Sequence, residues 1–176
     1  MVVDDRPSQA QDPNRVREHA ADPFGTLIRV AAYTGMRAGE LKALRVGRFE
    51  LLKSRLLVAE SVTEVHGHGM VFGPTKTYER RTIPLMPSIC DELGALLATR
   101  PNGPDTLVFT SPDGGALRHR NFYDRHFKPA VRAANLPANM RFHSLRQTCA
   151  AMCIALGAHP KAIQERLGQL LDNGHP

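Results

Sequence analysis

Residues 34–41 read Thr34-Gly35-Met36-Arg37-Ala38-Gly39-Glu40-Leu41, and residues 142–148 read Phe142-His143-Ser144-Leu145-Arg146-Gln147-Thr148. Thr34-Gly35 is a turn signal, and the residues after it open a short helix with Arg37 near its N-terminus. Glu40 lies three residues further on, on the same helix face as Arg37, and reads as an orienting residue. His143 and Arg146 are also three apart, so both side chains leave one face of the helix that opens there. A third stretch, Gly73-Pro74-Thr75-Lys76-Thr77 followed by Arg80-Arg81-Thr82-Ile83-Pro84-Leu85, reads as a hairpin with Lys76 near its tip. A fourth runs from Ile163 to Gly168 and continues into Gln169.

Around these stretches the hydrophobic period alternates between helix and strand. Phe24, Leu27, Ile28, Ala31 and Ala32 recur at helical spacing, which predicts a helix over 22–33 with Asp22 as cap and Pro23 at its first position. A second short helix is expected from Arg37 to Leu44. The run LLVAESVTEV at 56–65, the HGHG turn and RRTIPL at 80–85 make 49–85 a small antiparallel sheet. Helices are expected over 87–99, 118–134, 143–156 and 160–168, with a short extended piece and turn at LVFTS-PDGG. The fold class is therefore α+β, mostly helical with a small antiparallel sheet. Residues 1–22 read as a flexible tail or linker remnant, and 23–176 as one domain.

Composition narrows the function. The chain has 176 residues, 42% of them hydrophobic, which suits one domain with a real core. No apolar run approaches the roughly 18–20 residues of a membrane span. The polar, acidic N-terminus is not a signal peptide, and three Cys without a CxxC pair argue against a disulfide framework. Lys+Arg 23 against Asp+Glu 17 gives +6 and a pI near 9.7. The basic excess is concentrated late in the chain. Arg118, Arg120, Arg125, Lys128, Arg132, Arg141 and Arg146 face Asp124 alone. Such a surface would meet phosphates and release counterions.

The four stretches, in this order and on these element types, resemble the catalytic domain of the tyrosine recombinases, the phage-integrase family, over about residues 23–169. The resemblance implies site-specific DNA cleavage and rejoining. Arg37 and Arg146 would clamp one DNA phosphate bidentately. Lys76 would protonate the leaving 5′ oxygen, and His143 would assist proton transfer or hold the phosphate. Arg80, Arg81, Arg118, Arg120 and Arg141 are the expected DNA contacts. The partner is double-stranded DNA, with other recombinase protomers as a further partner. No small-molecule substrate, cofactor or metal is expected. The expected source is a prophage or other mobile element, and the expected location the cytoplasm, with the nucleoid.

The chain also departs from the family pattern. Gln169 stands where the family has a His, and Gln donates hydrogen bonds but exchanges no proton near neutral pH. The family's nucleophilic Tyr lies further along. Here Tyr33, Tyr78 and Tyr123 all precede His143. The expectation is an incomplete catalytic domain, lacking the nucleophile-bearing C-terminal segment and unable to form the phosphotyrosyl link alone. Two other readings compete. Residues 147–167 fit a helix–turn–helix regulator without catalysis, and the chain could be a functionless remnant of a mobile element. His66, His68 and Glu64 match no compact zinc spacing. Cys149 and Cys153 read as small buried apolar residues.

Overall fold

A computed structural model of the chain describes residues 12–101 and 103–168. Helix α1 (Pro13–Glu18) comes first, with the Asp12 carboxylate accepting from the Asn14 amide at 2.9 Å. Val16 is fully buried, and α1 packs on α2 (Phe24–Thr34). The expectation of a tail over 1–22 is therefore corrected for residues 12–22. The sequence hid this because a six-residue helix presents too few apolar positions to show a period. Helix α2 starts one residue after Pro23 and buries Leu27, Ile28, Val30, Ala31 and Ala32. It stops at Gly35, whose φ of +67° is a left-handed cap, with its amide donating to the Ala31 carbonyl at 3.0 Å.

After α3 (Ala38–Lys42) come two small sheets instead of one. Strands β1 (Phe49–Glu50), β2 (Arg55–Val58) and β5 (Arg81–Pro84) form an antiparallel sheet in the order β1-β2-β5. In it Leu56 pairs with Ile83, both fully buried, each worth about 1.5–3 kcal/mol of apolar burial. Strands β3 (Glu60–Val65) and β4 (Gly69–Pro74) form a separate hairpin whose turn is His66-Gly67-His68. Because, among the described residues, β4 pairs only with β3 and β5 only with β2, Lys76 does not sit at a hairpin tip. It rides on the loop that crosses between the two sheets. The buried Thr75 anchors that loop, its hydroxyl donating to the Glu79 carbonyl at 2.8 Å.

Helix α4 (Pro87–Ala98) packs on α2, with Glu92 bonded to Arg29 at 2.9 Å and Arg17 at 3.2 Å. The stretch expected as one helix over 118–134 is α5 (His119–Phe122), a π-helical turn over Tyr123–Phe127, and α6 (Lys128–Ala133). Pro129 explains the bulge, since its ring clashes with the preceding turn and it donates no backbone hydrogen bond. The Lys128 amide instead reaches back five residues to Tyr123. Phe142 packs edge-on against Phe122 and Phe127, at 5.3 and 5.5 Å between ring centroids. Helices α7 (Ser144–Ala155) and α8 (Pro160–Leu167) follow. The first packs on α2, and the second on α7 and β5. That packing carries the end of α8 back to the Thr34-Gly35 turn.

Candidate functional site

Glu40 organises the site. It is the third residue of α3, 1% exposed, and its Oε2 accepts the Arg37 amide at 2.9 Å. The sequence spacing alone supports this bond, since a Glu at N3 reaches back to the N-cap amide. Its Oε1 accepts from Arg37 Nη1 at 3.2 Å and Arg81 Nη1 at 3.0 Å, and its Oε2 from Arg81 Nη2 at 2.7 Å. Burial pushes the Glu40 pKa up. The Arg81 and Arg37 hydrogen bonds and charges more than offset that and leave it below the usual carboxylate value.

Arg146 is 7% exposed and projects from the first turn of α7. Its Nη1 donates to the Gly35 carbonyl at 2.5 Å and its Nη2 to the Leu167 carbonyl at 2.6 Å. Both partners are neutral, and no carboxylate pairs with it among the described residues. Burial, with the nearby Arg37 charge second, lowers its pKa to about 10. It therefore stays charged near neutral pH. Arg37 Nη2 donates to the Gly168 carbonyl at 2.9 Å, and Arg81 Nε to the Arg166 carbonyl at 3.0 Å. Three arginines thus hold three successive carbonyls at the end of α8, where the helix dipole is negative. Arg166 completes the group, with Nη2 donating to the Tyr33 carbonyl at 2.6 Å.

This close approach explains two glycines. A Cβ on Gly35 would meet Leu167 Cδ2 at 2.5 Å, and one on Gly168 would meet Arg81 Nη1 at 2.8 Å. Both residues also have positive φ, +67° and +60°.

Beside the arginines lies a cleft of about 320 Å³, lined by Met36, Ala38, His119, Tyr123, Arg141, His143 and Arg146 among others. The expected site residues distribute as follows. His143 and Arg146 share the cleft, His143 exposed at the start of α7. Arg37 lies close enough for its charge to act on Arg146. Lys76 stands exposed on the inter-sheet loop, and no hydrogen bond or ion pair ties it to the others among the described residues. Gln169 lies outside the described residues. Of the expected DNA contacts, Arg80 is exposed and Arg141 lines the cleft. Arg118 is exposed near Glu64 at 3.9 Å, and Arg120 is 91% exposed near Asp124 at 3.7 Å.

Arg81 differs from its expected place. Its side chain is 10% exposed and points inward to Glu40, because a buried carboxylate needs a charged partner. Sequence reading missed the structural use of Arg81 and the whole of Arg166, His119 and Tyr123. Nothing in local spacing marks Arg81 or Arg166, since their partners lie 41 and 133 residues away, whereas His119 and Tyr123 stand four apart, a helical step that pairs their rings. Among the described residues, no three His, Cys, Asp or Glu side chains gather as metal ligands, and no helix is long and apolar enough to cross a membrane.

Comparison with known proteins agrees with this fold. The model of the phage integrase family matches residues 7–169. A Mycobacterium tuberculosis (strain H37Rv) protein named as a prophage phiRv2 integrase is 28% identical over 93% of this chain and 44% of its own length. Tyrosine recombinase XerC 1 of Ralstonia nicotianae is 29% identical over 89% of this chain and 47% of its own length. The chain thus spans less than half the length of these curated relatives. Among solved structures, the Tn1549 transposon integrase in complex with a circular intermediate DNA superposes with a TM-score of 0.79 at 20% identity, covering 93% of this chain and 57% of that one. XerA recombinase gives 0.71 at 22% identity, over 96% and 56% of the two chains. The catalytic domain of bacteriophage HP1 integrase gives 0.57 at 21% identity, over 89% and 76%. The fold is that of the tyrosine recombinase catalytic domains, and the chain belongs to the phage integrase family.

Proposed function

We propose that this chain binds double-stranded DNA and holds one backbone phosphate at Arg146 and Arg37, with His143 beside it, in DNA integration and site-specific recombination. The observation that carries the reading is an imbalance of buried charge. Arg37, Arg81, Arg146 and Arg166 converge on a site whose one buried carboxylate, among the described residues, is Glu40. Neutral carbonyls fill out their coordination, so an anion entering the cleft gains an attraction that nothing in the protein already satisfies. The relatives named as integrases and recombinases, and the neighbour solved with DNA, support the same reading.

Each residue has a task that follows from its chemistry. Arg146 keeps three of its five N–H donors for the non-bridging oxygens, since two are committed to carbonyls. Glu40 holds the Arg37 guanidinium in place instead of touching DNA. Lys76 is the candidate general acid, carried to the leaving oxygen by its loop. Arg80, Arg118, Arg120 and Arg141 meet flanking phosphates. The 176 residues engage DNA without forming a phosphotyrosyl link by themselves, because Tyr33, Tyr78 and Tyr123 all precede His143, whereas the nucleophile of the family follows it. The Tyr33 hydroxyl accepts from Asn14 at 3.1 Å, and Tyr123 lies 3.4 Å from the Met140 carbonyl. We place this activity in the cytoplasm, at the nucleoid, with further protomers as partners.

The test is duplex binding across a salt series. The logarithm of the affinity should fall linearly with the logarithm of the salt concentration, and Arg120→Ala should reduce the slope by about 1. Binding that stays flat from low to moderate salt would overturn the reading.

A further inference from the structure

His119 shares the cleft with Arg146 and His143 but comes from a different element, as the first residue of α5. The phosphate reading gives it nothing to do. His119 is exposed, and its ring lies nearly parallel to that of Tyr123, with centroids 5.8 Å apart and 21° between the planes. Burial and the Lys42 charge act to keep it neutral, Asp124 acts the other way, and no hydrogen bond engages it among the described residues.

The surrounding charge is one-sided. Lys42 is 9% exposed, and its charge, partly offset by that of Glu64, acts on His119. Arg141, His143 and Arg146 line the same cleft. The acid on this side, Asp124, is already shared by Arg120 at 3.7 Å and Lys128 at 3.2 Å. An imidazole with one N–H donor to offer, set amid basic groups, is suited to an anion. The cleft also has room for more than one phosphate. At about 30 Å³ per water molecule, its 320 Å³ exceeds one phosphate group several times over.

We propose that His119 binds the DNA backbone at the phosphate next to the one held by Arg146, so that the cleft grips two successive phosphates of one strand. This inference rests on the phosphate reading above. The contact carries no base information. It sets the position of the strand along the cleft, and so which phosphodiester meets the arginines.

Thymidine dinucleotides with one phosphate (TpT) or two (pTpT) separate the two contacts. Binding to the intact chain is followed through the histidine ring signals in NMR. The second phosphate should tighten binding roughly tenfold, the value of one charge-assisted hydrogen bond. The His119 signals should move with pTpT, and the His143 signals with both ligands. In His119→Ala the advantage of pTpT should shrink to about twofold or less with TpT binding unchanged, and His119→Lys should restore it. If His119→Ala keeps the full advantage, or if pTpT saturates the protein without moving the His119 signals, the inference is wrong. Should His119→Ala lose its fold by circular dichroism, the wild-type ring signals decide. If neither ligand moves His143 and Arg146→Ala changes nothing, the phosphate reading fails as well, and this inference with it.

Discussion

Arg81 and Glu40 meet as a two-point ion pair, Nη2 to Oε2 at 2.7 Å and Nη1 to Oε1 at 3.0 Å, with the carboxylate fully buried. The pair joins β5 to α3, and Arg81 Nε then carries the connection to the end of α8. One ion pair therefore ties together three of the elements that build the site.

Removing Arg81 leaves the buried Glu40 carboxylate with Arg37 as its remaining charged partner. Arg81→Ala should destabilise the fold in urea denaturation, by less than the about 3–5 kcal/mol of a wholly unpaired buried charge. Glu40→Gln, which keeps the shape but loses the charge, should also destabilise. Its acid profile distinguishes the two effects. The folded pKa of Glu40 is lowered, so its contribution is full above the ordinary value of 4.5 and is lost as pH falls through the folded value. The wild type should therefore lose stability below that ordinary value more steeply than Glu40→Gln, read from urea midpoints at each pH.

For Arg146 the linkage runs the other way. Its folded pKa is lowered to about 10, so its charge weighs against the fold near neutral pH, and that cost is relieved only as pH rises through the folded value. An anion that neutralises it should stabilise the fold. Inorganic phosphate at 100 times its Kd should add about 2.7 kcal/mol. Arg146→Ala should lose most of that gain, measured as the phosphate-induced shift in Tm.

Gly35→Ala tests the close approach of α8 to the first arginine turn. The left-handed φ costs a non-glycine residue about 1–2 kcal/mol, and the overlap with Leu167 adds about 1–3 kcal/mol. Because the Gly35 carbonyl also receives Arg146, the same substitution should weaken phosphate binding. Gly67→Ala has an equally positive φ of +79° but open space around it, and it should cost only the backbone part and leave phosphate binding unchanged.

A nicked suicide substrate traps a covalent phosphotyrosyl adduct wherever a tyrosine attacks. The 176-residue chain should give none on denaturing gels. An adduct that disappears in Tyr123→Phe would show that the cleft tyrosine is itself the nucleophile.

The order of elements was legible in the sequence because it depends on local spacing. The helices at 24–34, 87–98, 144–155 and 160–167 follow from apolar residues at helical period, and the Glu40-to-Arg37 amide bond from a three-residue step. Strand partnership was not legible. Gly73–Thr77 and Arg80–Leu85 read as one hairpin, yet the strands that they join, Gly69–Pro74 and Arg81–Pro84, belong to different sheets, because pairing depends on which faces the core needs to cover. Helix α1 was too short to announce itself, and the π-turn at Tyr123–Phe127 came from a proline whose effect falls on the turn before it.

The sequence by itself determined the family, the four motifs and the basic excess. These are properties of residue type and short spacing. Only the tertiary structure decided how each arginine is used. Arg80 and Arg81 are adjacent and chemically identical, yet one is exposed and the other is locked onto Glu40. The physical reason is that a buried carboxylate must find its charge partner wherever the fold brings one, and the end of α8 must find donors for its last carbonyls. Both needs are met by residues far apart in the chain.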